Sequence, residues 1–213
     1  MSTTPTTDNT ISSSTTNTTT TTNIKKNLLL GLTGSVATIK YQQLIDLLLP
    51  HFNVKVVLTK NALHFCKDIG QNAQLRVYTD EDEWTSWSKR DDPVLHIELR
   101  KWADSMLIAP LSANTLAKLA NGLSDNLLTS IVRAWDFKNK ELIVAPAMNT
   151  MMWDNPFTEM HLSSLKSLSA RISIIQPIAK KLICGDIGVG AMEEVGRITE
   201  ITTDLLYKHI HQD

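Results

Sequence analysis

The chain has 213 residues, 42% of them hydrophobic, with 21 Lys and Arg against 22 Asp and Glu. That length suffices for one α/β domain with its own core, and a formal net charge of −1 offers no basic surface for nucleic acid or an anionic membrane. No apolar run approaches the ~20 residues needed to cross a bilayer, no signal-peptide stretch opens the chain, and Cys66 and Cys184 are too far apart for a metal-spaced cluster or a disulfide framework. A small-molecule or protein partner in a reducing, intracellular (cytoplasmic) setting is expected.

Residues 1–23 are almost all Ser, Thr and Asn, and Ile11 is the one sizeable apolar side chain between Met1 and Ile24. Such a segment cannot bury enough surface to offset the entropy of ordering, which predicts a disordered tail over 1–23 and a single domain over 24–213. Asn27 to Leu32 is a short apolar run ending at Thr33-Gly34-Ser35, the pattern of a buried strand entering a tight turn. Ile39, Leu44, Ile45, Leu48 and Leu49 then fall near helical spacing, and Pro50 stops that helix. Val54–Thr59 reads as a strand, and Asn61–Ile69 as a helix stopped by Gly70. In Val94-Leu95-His96-Ile97-Glu98-Leu99 apolar and polar residues alternate, which puts Val94, His96 and Glu98 on one face of a strand. Met106–Pro110 is a further strand, followed by helices from about Asn114 and from Leu127 to Trp135. Glu141–Pro146 reads as a strand, Phe157–Leu168 as a helix, Ile172–Gln176 as a strand and Ile198–His211 as the last helix. Short apolar strands alternating with helices imply an α/β fold, a parallel sheet covered on both faces. Its ligands gather at the carboxyl ends of the strands.

The residues just after those strands are therefore the candidates. Gly34-Ser35-Val36 pairs a close-approach glycine with a hydroxyl and a helix start, which suits a phosphate; it also reads as a plain turn and cap, and it is neither a dinucleotide G-x-G-x-x-G nor a Walker loop. Thr59-Lys60-Asn61 and Ser112-Ala113-Asn114-Thr115 place small polar groups where they can cap a helix or face a ligand. Pro146-Ala147-Met148-Asn149-Thr150-Met151-Met152-Trp153 sets one Asn among apolar side chains. There a single hydrogen bond discriminates strongly between ligands, although a buried hydrophobic turn has the same composition. Cys184 sits in a Gly-rich loop, Lys180 to Gly190, that permits either a reactive thiol or an inert one. His96, taken alone, reads more readily as a structural strand histidine than as a catalytic one. No metal-ligand spacing and no Gly-x-Ser-x-Gly elbow is present.

Together, Leu-His-Ile-Glu-Leu at 95–99, Pro-Leu-Ser-Ala-Asn-Thr at 110–115, Pro-Ala-Met-Asn-x-x-Met-Trp at 146–153 and Cys-Gly at 184–185 resemble the homo-oligomeric flavin-containing cysteine decarboxylases. The resemblance runs from about Lys26 to Arg197. It implies a three-layer flavodoxin-like (Rossmann-like) fold that binds FMN, a homotrimer with active sites at subunit contacts, and the small-molecule substrate phosphopantothenoylcysteine. Carried over motif by motif, Gly34, Ser35, Val36, Thr59, Lys60, Asn61, Ser112, Ala113, Asn114, Thr115 and Ala147 would contact the flavin. Asn149 would bind the substrate carboxylate, His96 would be the catalytic histidine, and Cys184 would donate the closing proton from a flap. The implied reaction oxidises the cysteine-derived CH2–SH to a thioaldehyde, releases CO2 and re-reduces the enethiolate. At 100–101, where relatives often show two arginines, this chain has Arg100 and Lys101; Lys lacks the bidentate fork.

Related proteins that share the fold act as phosphatase-inhibitor subunits, peptidyl-cysteine decarboxylases or flavin prenyltransferases. The first tend to lose the Asn or the Cys or to carry acidic tails, and the last lack both motifs. This chain keeps His96, Asn149 and Cys184, which favours the decarboxylase.

Overall fold

Leu28 to Leu32 forms a strand whose side chains are buried on both faces, and that burial organises the rest of the chain. The computed structural model describes Met1 and residues 24–71, 75–181 and 187–207. The tail expected over 1–23, Cys184 with Gly185, and the end of the expected last helix beyond Tyr207 lie outside the described residues, Met1 excepted.

Six strands make one parallel sheet: β1 (Lys26–Leu32), β2 (Phe52–Leu58), β3 (Arg76–Tyr78), β4 (Ser105–Leu111), β5 (Glu141–Pro146) and β6 (Ile172–Ile174), in the order β3-β2-β1-β4-β5-β6. Every pairing is parallel, with Leu30 opposite Val56 on one side and Leu107 on the other. Strand sides alternate, so Leu28, Leu30 and Leu32 face one helix layer while Leu29 faces the other. The first layer holds α1 (Tyr41–Leu48) and α8 (Val195–Tyr207), which contribute Leu44, Ile45, Leu48, Ile198 and Leu206. The second holds α3 (Leu95–Trp102), α4 (Ala113–Ala120), α5 (Leu127–Arg133) and α7 (Pro156–Ser167), which contribute Leu99, Leu116, Leu128, Ile131 and Leu165. Each fully buried Leu of this kind is worth about 1.5–3 kcal/mol relative to exposure. The result is the expected three-layer flavodoxin-like architecture. Two short helices, α2 (Asp80–Thr85) and α6 (Thr150–Trp153), and an antiparallel hairpin of β7 (Ile178–Lys181) and β8 (Ile187–Ala191) complete it.

Two local expectations are corrected. His96 is in the first turn of α3, not on a strand. The alternating pattern hides a helical one: Leu95, Leu99 and Trp102 recur at i, i+4 and i+7 and face the second layer's core, where packing decides between the two periods. The stretch 61–69 is not one helix but 3-10 turns at Ala62–His64 and Ile69–Gln71.

Candidate active site

The strand order reverses between β1 and β4, and their following helices leave to opposite faces. That divergence opens a crevice at the carboxyl ends. Its floor is tied by one hydroxyl. Thr33 Oγ1 donates to Pro110 O (2.8 Å) and accepts from Ser112 N (2.8 Å), so a fully buried side chain joins the two diverging strand ends.

On the β1 side, Ser35 Oγ donates across the crevice to Ala147 O (3.2 Å), and Ala37 N donates weakly back to Ser35 Oγ (3.4 Å). The helix start expected there is a 3-10 turn, Val36–Lys40, before α1. Gly34 is needed for close approach, because a Cβ there would stand 2.5 Å from Asn61 Cβ. Asn61 opens its own 3-10 turn but caps none of its N–H groups, while Lys60 beside it is exposed. Thr59 Oγ1 is buried and has no hydrogen-bond partner among the described residues. Buried hydroxyls are nearly always paired, so this one, at the end of β2, can meet a group held in the crevice.

On the β4 side, Ser112 Oγ caps α4 through Thr115 N (3.3 Å) and meets Thr115 Oγ1 at 3.2 Å; both residues are buried. Ala113 and Asn114 are the first two residues of α4, whose free N–H groups and dipole favour negative charge at this end. After β5, Ala147 N donates to Leu111 O (3.0 Å) and Met148 N to Gly190 O (2.9 Å), which brings the β7–β8 hairpin onto the same rim. Gly190 has φ +141° and its missing Cβ would lie 2.5 Å from Met148 O, so only glycine fits there. Asn149 Oδ1 accepts from Met151 N (2.8 Å).

The structure thus gathers Gly34, Ser35, Thr59, Asn61, Ser112, Thr115 and Ala147 at neighbouring strand ends, with Asn149 next along the rim. His96 has a different partner. Its Nδ1 lies 2.5 Å from Glu83 Oε1 and its backbone N–H donates to Glu83 Oε2 (3.0 Å). Glu83 was not among the candidates; its signal in the sequence was Thr79-x-x-Asp82, a capping pattern one residue upstream. Indeed Asp82 Oδ2 accepts from Thr79 N (2.7 Å) and Thr79 Oγ1 (2.9 Å), which fixes α2. In the same turn Asp80 Oδ1 accepts from Leu127 N (2.9 Å), the first N–H of α5. Thr33 was also missed, since one Thr inside a turn carries no spacing signal.

The remaining charges are peripheral. Lys101 pairs with Glu98 at 2.9 Å on the surface, and Arg100 Nε is buried without a hydrogen-bond partner among the described residues. Glu194 is gripped by Lys180 (2.8 Å) on β7 and Lys40 (3.0 Å) after β1; hydrogen bonds from these two ammonium groups, Lys180 first, hold its carboxyl down at about 2. Cys66 donates to Ala62 O (3.0 Å), and burial pushes its thiol up to about 11. Among the described residues no helix is long and apolar enough to cross a membrane.

A parallel α/β sheet whose crevice carries these groups defines a nucleotide-type binding protein, and the Flavoprotein family profile matches residues 16–207. The chain belongs to that family. It is 57% identical over 170 residues to the phosphopantothenoylcysteine decarboxylase of Arabidopsis thaliana, covering 80% of each chain. Among solved structures it is similar to a Cys-to-Ser mutant of PPC decarboxylase complexed with pantothenoylaminoethenethiol (53% identity, TM-score 0.81, 86% of this chain and 99% of that one). It is also similar to the FMN binding protein AtHal3 (53% identity, TM-score 0.78, 87% and 98%).

Proposed function

We propose that the chain binds FMN and decarboxylates 4'-phosphopantothenoylcysteine to 4'-phosphopantetheine in coenzyme A biosynthesis. The observation that carries this reading is the crevice of four strand ends, with a buried Thr59 hydroxyl at its wall that has no partner among the described residues. The residues fit the cofactor. Gly34, lacking a side chain, lets Asn61 close directly against the turn after β1 and sets the β1 and β2 ends side by side, and the α4 start offers N–H donors to a phosphate. Ser35, Val36, Lys60, Ala113, Asn114, Ala147 and the buried Thr115 line the same ends. The chemistry FMN supplies when bound is reversible hydride acceptance, which turns the cysteine-derived CH2–SH into a thioaldehyde whose C=S takes up the electrons left by CO2.

The side chains do the rest. Asn149 donates from its amide to the substrate carboxylate, and the apolar Met148 beside it keeps that bond dry. His96 holds and takes the proton of the substrate thiol. Cys184 donates the carbon-bound proton of the closing reduction, in which the hydride removed at the start is returned, so that the enethiolate becomes the saturated thiol. His96 is on the β3 side of the sheet, in α3, and Trp84 (80% exposed), Trp87 and Val94 are exposed close to it and to Glu83 in sequence. Apolar surface of that kind suits a homotrimer in which one protomer's His96 serves its neighbour's crevice. The Cys66 thiol fits a reducing, cytoplasmic location.

The test is a substrate panel. The purified protein should be yellow and release CO2 from phosphopantothenoylcysteine faster than from cysteine-ended peptides, and His96→Asn should keep the flavin and lose CO2 release. A colourless protein, or peptide substrates preferred, refutes the proposal.

A further inference from the structure

Glu83 makes two contacts at once, one to a backbone N–H that α3 cannot satisfy itself and one to a histidine ring nitrogen. A carboxylate has two oxygens and accepts at both; it has no proton to give. Both partners must therefore donate, so His96 carries a proton on Nδ1, and in the neutral ring the lone pair is on Nε2. Free imidazole in water prefers the other tautomer, so the pair selects a minority form. The side chains of His96 and Glu83 are only 25% and 15% exposed, which limits competition from water. Glu83 is itself immobilised: it follows Asp82, whose carboxylate closes the first turn of α2, and Asp80, which ties that turn to the start of α5.

We infer that Glu83 is the positioning residue for His96, setting its tautomer and aim so that Nε2 is the atom that takes the substrate's proton. This rests on the proposed role of His96. Glutamine at position 83 gives a sharp contrast. It keeps the size of Glu but has one acceptor oxygen, and the backbone N–H of His96 claims it. The amide NH2 then faces Nδ1, which must become an acceptor, and the ring proton moves to Nε2.

The experiment uses the flavin-loaded enzyme labelled with 15N-histidine, with turnover measured in parallel. In the wild type the neutral His96 ring should carry its proton on Nδ1; a neutral ring protonated at Nε2 alone overturns the inference without any variant. In Glu83→Gln the ring pattern should reverse and kcat fall about 10- to 100-fold, the range known for partners that orient a working imidazole. KM and flavin content should change less than about twofold, since uniform binding is untouched. Wild-type kcat in Glu83→Gln, or a loss of kcat with the ring pattern unchanged, overturns the role of Glu83 while His96→Asn still tests His96. If His96→Asn itself turns over normally, the proposed role of His96 fails, and that of Glu83 with it.

Discussion

Replacing Thr33 with Val removes one oxygen and almost no volume, yet it strands two buried backbone groups. Pro110 O loses its donor and Ser112 N its acceptor, each from a bond of 2.8 Å at a residue with no solvent exposure. A buried group left unpaired costs about 1–3 kcal/mol, so two cost about 2–4 kcal/mol if the strand ends relax in part. For a domain of this size that lowers Tm by roughly 4–16 °C. The assay is urea unfolding of the flavin-free protein, read as a shift in midpoint at unchanged slope. The valine methyl should not disturb packing, so a loss below about 0.5 kcal/mol would refute the claim that this hydroxyl joins β1 to β4. The same variant should bind flavin more weakly, because the two sides of the crevice are then free to part.

Two further outcomes come from the same geometry. Gly34→Ala should weaken flavin binding about tenfold or more in a fluorescence titration, since its Cβ would meet Asn61 Cβ at 2.5 Å and overpacking costs about 1–3 kcal/mol; an unchanged Kd would show that the turn yields. Glu194→Gln should cost about 0.2–1 kcal/mol at neutral pH, as for other exposed ion pairs. The Glu194 carboxyl is held at about 2, below its ordinary 4.5, so its contribution is complete above about 4.5 and fades as pH falls toward 2. Unfolding curves of variant and wild type should therefore differ at pH 6 and converge near pH 2, and a constant gap would show that charge is not the cause.

The sheet was legible because its strands are apolar on both faces. Asn27–Leu32, Met106–Pro110 and Glu141–Pro146 announce themselves within a residue or two of β1, β4 and β5. What stayed hidden depends on long-range contacts. β3 has three residues and is a strand because Val77 pairs with Val56. The stretch around His96 carries two periodicities at once, and only burial of Leu99 against the second layer selects the helix. Gly34, Thr59, Ser112 and Ala147 were legible because a parallel sheet delivers every strand's carboxyl end to one edge, so recognising the strands also locates the crevice. Glu83 precedes His96 by 13 residues, and no spacing rule joins them; the partnership exists because α2 and α3 are packed together.

Asp80, Asp82 and Glu83 each close the start of a different helix: α5, α2 and α3. The angles among those three helices are thereby written into a single short stretch of chain. The histidine's aim is inherited from that frame and owes nothing to the connection between α2 and α3. Residues Ser86 to Pro93 are mostly exposed, and lengthening such a loop costs little entropy, about 0.6 kcal/mol for each doubling. Length is free to vary there across descendants of this chain, whereas one residue gained or lost between Thr79 and Glu83 would throw three helices out of register.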